Sequence, residues 1–129
     1  MINVYNQLTK QIEPFISIES NKVKMYCCGP TVYDYMHIGN ARSVIIFDMI
    51  RRYFIYSGYE VIYVTNFTDV DDKIIKVSLE TNKNPEDITK KFIAAYFEDM
   101  DSLGVKRADK YPIVTENIEH IIESIVELE

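Results

Sequence analysis

Cysteine is nearly missing from this chain: its 129 residues carry two, Cys27 and Cys28, side by side. Neighbours on a strand point to opposite faces, so a bond between them would be strained, and a secreted disulfide framework is excluded. Basic residues are also short. Lys and Arg number 14 against 20 Asp and Glu, a net charge of −6. That balance argues against a main nucleic-acid-binding surface, which is normally basic. No run of about 18 apolar residues exists, so no membrane span is expected. Asn3, Asn6, Gln7, Thr9 and Lys10 interrupt any leader-like pattern, and a cytoplasmic location is the expectation.

What is present suffices for one domain with a real core. The apolar share of 47% and the charged share of 26% are ordinary for a soluble globular protein. Ile2 to Tyr5 is a short strand candidate, and Asn6 to Pro14 reads as polar and turn-rich. Lys22 to Cys28 alternates as a strand, with Val23, Met25 and Cys27 on one face and Lys24, Tyr26 and Cys28 on the other. Ala41 to Ser57 has helical spacing in Val44, Phe47, Ile50 and Phe54, with Arg51 and Arg52 late, where cations suit the helix dipole. Gly58 closes that helix, and the β-branched and aromatic run Tyr59 to Thr65 reads as a buried strand. Strand, helix and strand with short joints predict a βαβ unit.

Thr68 or Asp69 is expected to cap a helix over roughly Val70 to Glu80. Asn84 followed by Pro85, Glu86 and Asp87 opens another, turning Ile88, Phe92, Ala95 and Tyr96 or Phe97 inward until Gly104 ends it. Val105 to Ile113 reads as a loop. Thr115 should cap a last helix with the stripe Ile118, Ile121, Ile122 and Ile125, and His120 and its acidic neighbours form a solvated face.

The chemistry gathers in Met25 to Arg42. A strand ends at the thiol of Cys28, Gly29 and Pro30 turn the chain, and His37-Ile38-Gly39-Asn40 opens a helix. A helix start carries orphan N–H groups and partial positive charge, so it suits phosphate. A thiol beside it adds a metal ligand or nucleophile, whereas Cys27, facing away, reads as core packing. Asn66 to Asp69 falls at the end of the next parallel strand, where ligands bind in open α/β sheets. The aspartates Asp69, Asp71 and Asp72 fit a helix start, which the dipole favours, and a single such cluster is weak evidence of a Mg²⁺ site.

Three runs carry a resemblance: Cys28-Gly29-Pro30-Thr31-Val32-Tyr33-Asp34, then His37-Ile38-Gly39-Asn40, then Asn66-Phe67-Thr68-Asp69-Val70-Asp71-Asp72-Lys73-Ile74-Ile75. In this order and spacing they resemble the class I aminoacyl-tRNA synthetases, and within these the cysteinyl-tRNA synthetase family. The resemblance implies an α/β fold: a partial Rossmann-like (HUP-type) nucleotide-binding domain, a parallel sheet with flanking helices. It implies ATP-dependent activation of L-cysteine and its transfer to tRNA(Cys). By the same resemblance Cys28 is a ligand of zinc, which takes the substrate thiolate and so separates cysteine from serine. His37 and Asn40 hold the triphosphate of ATP, with its Mg²⁺, and stabilise charge at the α-phosphate. Gly39 leaves room for the nucleotide, and Gly29, Thr31 and Thr68 contact the amino acid. Asn40 stands where the family's element has a second histidine; it donates a hydrogen bond but carries no charge.

The family's lysine-rich KMSKS loop, its other zinc ligands and its anticodon-binding helices have no counterpart in these residues. The expectation is that residues 1–129 form the N-terminal portion of a catalytic domain, inactive alone, holding zinc weakly and needing the remaining C-terminal part of the synthetase. Half a sheet also leaves an apolar face uncovered, an invitation to self-association. Two other classes stay open: a ligase of the same fold joining cysteine to an amino-sugar, and a non-catalytic half-domain binding a nucleotide or a partner.

Overall fold

The computed structural model describes residues 2–129. At its centre β3 (Lys22–Cys27) pairs in parallel with β4 (Glu60–Thr65), from Lys22 opposite Glu60 to Cys27 opposite Thr65. The helix α1 (Ile38–Tyr56) makes the crossover. Gly58, at φ 91°, takes the left-handed turn that releases the chain into β4. This is the βαβ unit that the spacing predicts.

The segment after residue 105 is more than a loop. Asp109 N–H donates to Tyr63 O (2.8 Å), Thr65 N–H to Lys110 O (3.2 Å) and Phe67 N–H to Pro112 O (2.9 Å). Bridges Val64–Lys110 and Phe67–Ile113 are parallel, so this stretch runs along the free side of β4 as an irregular third strand. Sequence alternation missed it because Pro112 and the charged run Lys106 to Lys110 disguise it. Pro112 contributes only its carbonyl to the ladder, which an edge position tolerates.

Arg51 and Arg52 do not serve the helix dipole as expected. Arg51 is 4% exposed. Its guanidinium donates to Arg107 O at 2.6 Å and to both carboxylate oxygens of Asp109 at 3.0 Å. Asp109 in turn accepts Tyr63 N–H at 2.7 Å. Arg52 reaches Asp48 and Gly104 O, each at 2.7 Å. Arg51 therefore clamps the third strand to α1, and Arg52 ties α1 to the end of α3.

The core gathers Val32, Ala41, Phe67, Tyr96 and Met100, with Phe92, Phe97 and Tyr111 packed against it. Phe67 meets Tyr96 and Phe97 edge-on and stacks on Tyr111, all within 5.1–5.7 Å. Tyr96 and Met100 come from α3 (Pro85–Ser102), which Asn84 caps through Glu86 N–H and Gly104 ends at φ 69°.

The remaining elements depart from expectation. Gln11–Pro14 forms a strand, β2, antiparallel to β1 (Asn3–Asn6), where a turn-rich segment is predicted. The helix α2 spans Asp72–Thr81 and its cap is Asp71, not Thr68 or Asp69. Asp69 instead accepts Thr115 N–H at 3.0 Å and the Thr115 hydroxyl, so Thr115 does not cap the last helix. A short 3₁₀ turn, Val114–Asn117, leads into α4 (Ile118–Leu128), which has no side-chain cap. The stripe Ile118, Ile121, Ile122 and Ile125 is half exposed. Among the described residues no helix is long and apolar enough to cross a membrane.

Candidate functional site

Two loops leave the same end of the parallel pair, and backbone bonds hold them together. Val32 N–H donates to Thr68 O and Thr68 N–H to Pro30 O, both at 3.1 Å, which sets Thr31 opposite Thr68 as one further parallel bridge. Gly29 N–H donates to Asn66 Oδ1 at 2.9 Å. That oxygen also accepts from the Tyr26 hydroxyl at 2.9 Å, and Asn66 Nδ2 donates to Thr68 Oγ1 at 3.3 Å. A Cβ on residue 29 would sit 1.6 Å from Asn66 O, so only glycine permits this approach. Sequence reasoning took Asn66 as a loop residue only. Its signal was its chemistry: an amide at a strand end both donates and accepts, and so can join two loops.

A cavity of about 420 Å³ opens at this end of the sheet. Cys28, Gly29, Thr31, His37 and Asn40 line it, together with Tyr33, Ser43, Tyr63, Thr65 and Lys73. Thr68 and Gly39 are not among the lining residues. Thr68 stands behind Thr31, and Gly39 supports His37.

His37 is the cap of α1: its Nδ1 accepts Gly39 N–H at 3.0 Å, and its carbonyl accepts Asn40 and Ala41 N–H. The helix start is thus less bare than the sequence implies. Its first donors are already engaged. An accepting Nδ1 leaves the ring proton on Nε2, the nitrogen free to donate. A Cβ on Gly39 would come within 2.8 Å of His37 Cε1, so glycine at 39 makes room for the capping imidazole.

Cys28 is exposed at the end of β3. Cys27, expected in the core, is half-buried and also lines the cavity. Burial pushes its thiol up from the ordinary range, against a weaker opposing pull from its hydrogen bond to Tyr63. Burial likewise pushes the Tyr63 phenol well up. Both groups stay protonated at neutral pH.

No group of three or more His, Cys, Asp or Glu side chains is placed to hold a metal among the described residues. Among the described residues Cys28 therefore lacks the three-ligand set that a zinc site is built from. Two of the aspartates are otherwise engaged: Asp71 caps α2 by accepting Lys73 N–H at 2.9 Å, and Asp69 holds Thr115; Asp72 lies in the first turn of α2. His120 is exposed on α4, 3.3 Å from Glu123, far from any role here.

A family model described as tRNA synthetases class I (C) catalytic domain matches residues 14–129. The chain is 60% identical over 127 residues to a cysteine–tRNA ligase of Anoxybacillus flavithermus (strain DSM 21510 / WK1), covering 98% of this chain and 27% of that protein. A cysteine–tRNA ligase of Clostridioides difficile (strain 630) is 59% identical over 128 residues, covering 99% of this chain and 28% of that protein. One of Lysinibacillus sphaericus (strain C3-41) is 56% identical over 124 residues, covering 96% and 27%. The chain spans little more than a quarter of the length of these curated relatives. With an α/β fold, a small parallel sheet and a family match over nearly all its residues, the chain belongs to the class I (C) tRNA synthetase catalytic-domain family.

Proposed function

We propose that residues 1–129 are the N-terminal portion of a Rossmann-like (HUP-type) catalytic domain that activates L-cysteine with ATP and passes it to tRNA(Cys). The observation that carries this is the cavity at the carboxyl ends of β3 and β4, which both Cys28 and His37 line. Open α/β sheets bind ligands at such a place.

In the reaction the cysteine carboxylate attacks the α-phosphate of ATP, forming cysteinyl-adenylate and releasing pyrophosphate. The cysteinyl group then moves to the terminal adenosine of the tRNA. The carboxylate is already ionised, so no protein nucleophile is needed; positioning and charge stabilisation do the work. His37 Nε2–H and the Asn40 amide donate to the triphosphate. Gly39 keeps the imidazole in its capping pose. Gly29 and Thr31 border the amino-acid end, with Thr68 fixing Thr31 from behind.

Cys28 would be one thiolate donor to zinc. No group of three ligands is assembled around it among the described residues, and no step is assigned to the metal. The remaining C-terminal part of the synthetase is the partner that would complete the metal site, the triphosphate clamp and the tRNA contacts. A chain without an apolar spanning helix and with these soluble partners fits the cytoplasm.

The test is a graft. Residues 1–129 replace the matching segment of the Clostridioides difficile relative, and cysteine-dependent pyrophosphate exchange is measured. Exchange and tRNA(Cys) charging are expected, both sharply reduced by Cys28→Ala or His37→Ala. Exchange unaffected by Cys28→Ala would remove Cys28 from the site. Transfer to an amino-sugar instead of tRNA would overturn the proposed acceptor.

A further inference from the structure

The cavity holds one charged side chain that the roles above leave unused. Lys73 lines it, and no Asp or Glu does among the described residues, although the chain as a whole carries a net charge of −6. Lys73 lies in the first turn of α2, where the helix dipole disfavours a cation by about 0.3–1 kcal/mol. Helix stability therefore does not explain its position. Nor does a local ion pair. Asp69, Asp71 and Asp72 are close in sequence, yet the Lys73 ammonium forms no salt bridge among the described residues: Asp69 holds Thr115, and Asp71 accepts the backbone N–H of Lys73, not its ammonium. Its ammonium instead stands 5.3 Å from the ring centroid of Tyr33, another lining residue. The ring face attracts the cation and holds it over the cavity without neutralising it.

We infer that Lys73 is a substrate-contacting cation of this site, and that its ammonium holds the phosphate oxygens of the bound nucleotide together with His37 and Asn40, which line the same cavity. This rests on the nucleotide-site reading proposed above. An ammonium with three donors and a full charge supplies what Asn40 cannot. Placed on α2, it enters the cavity from a different element than His37 and Asn40, which belong to the start of α1.

The test is binding by the 129-residue chain, titrated with ATP and, separately, with adenosine. The wild type is expected to prefer ATP, with an affinity that falls as salt is added. Lys73→Gln should lower ATP affinity about tenfold and flatten the salt dependence, leaving adenosine binding unchanged. Lys73→Arg should retain most of the preference. Tyr33→Leu, which removes the ring beneath the ammonium, should fall between. Lys73→Gln with wild-type ATP affinity, or with equal losses for ATP and adenosine, would overturn the inference while leaving the nucleotide site standing. Absence of any ATP preference in the wild type, or wild-type binding by His37→Ala, would overturn the nucleotide-site reading itself.

Discussion

The amide of Gly29 donates to Asn66 Oδ1 across 2.9 Å, and at this closeness no side chain fits at position 29. Gly29 thus seals the loop after β3 to the loop after β4. The cavity wall depends on that seal, because Cys28 and Thr31 flank it on one loop and Asn66 and Thr68 on the other.

Gly29→Ala should accordingly destabilise the chain by about 2–4 kcal/mol, since its Cβ meets backbone and not a yielding side chain. Urea unfolding followed by circular dichroism measures it. A loss under half a kcal/mol would mean that the two loops part freely.

Asn66→Ala removes one acceptor shared by Gly29 and Tyr26 and one donor to Thr68. With the Gly29 amide left part-buried and unpaired, a cost of about 1–3 kcal/mol is expected. Amide hydrogen exchange should rise at Gly29, Val32 and Thr68 and stay unchanged in α3.

The Arg51–Asp109 pair gives a double-mutant cycle. Asp109→Ala strands a buried guanidinium and frees Tyr63 N–H, so it should cost about 2–4 kcal/mol. Arg51→Met with Asp109→Ala together should cost less than the two single changes summed, a coupling of about 1 kcal/mol or more. Additive losses would show that the pair does not act as a unit.

Alkaline pH should loosen the fold around the cavity. Burial raises the Cys27 thiol and the Tyr63 and Tyr96 phenols in the folded chain. The unfolded chain therefore releases these protons first, and folded stability falls as pH climbs past the ordinary thiol range toward that of tyrosine. Thermal melts across that range should show a falling midpoint. Cys27→Ser should flatten its first part, and Tyr63→Phe the later part.

The βαβ unit was legible because its signals are local: alternation in Lys22 to Cys28, helical spacing from Val44 to Phe54, and Gly58 between that helix and β4. Asn84, Pro85 and Gly104 announced α3 equally plainly. Two of the errors were local, the β1–β2 hairpin and the Asp71 cap of α2, and the others come from contact over long sequence distance. Thr115 has good capping chemistry, yet its partner Asp69 lies 46 residues away. Arg51 near a helix end suits the dipole, yet Asp109, 58 residues on, claims it. The strand-like course of residues 109–113 exists only because β4 offers it an edge. In the site, the juxtaposition of Cys28 with His37 follows from the order of strand, loop and helix. The Asn66 junction and the cation–ring pair of Lys73 and Tyr33 need the second loop docked on the first, which no residue pattern states.

That irregular third strand also sets a timetable. Tyr63, Thr65 and Phe67 find their outer partners only in Asp109 to Pro112, so during synthesis that side of β4 has no ladder partner until the chain past that point has left the ribosome. Until then the emerging polypeptide exposes the bare flank of β4, an edge open to pairing with another chain.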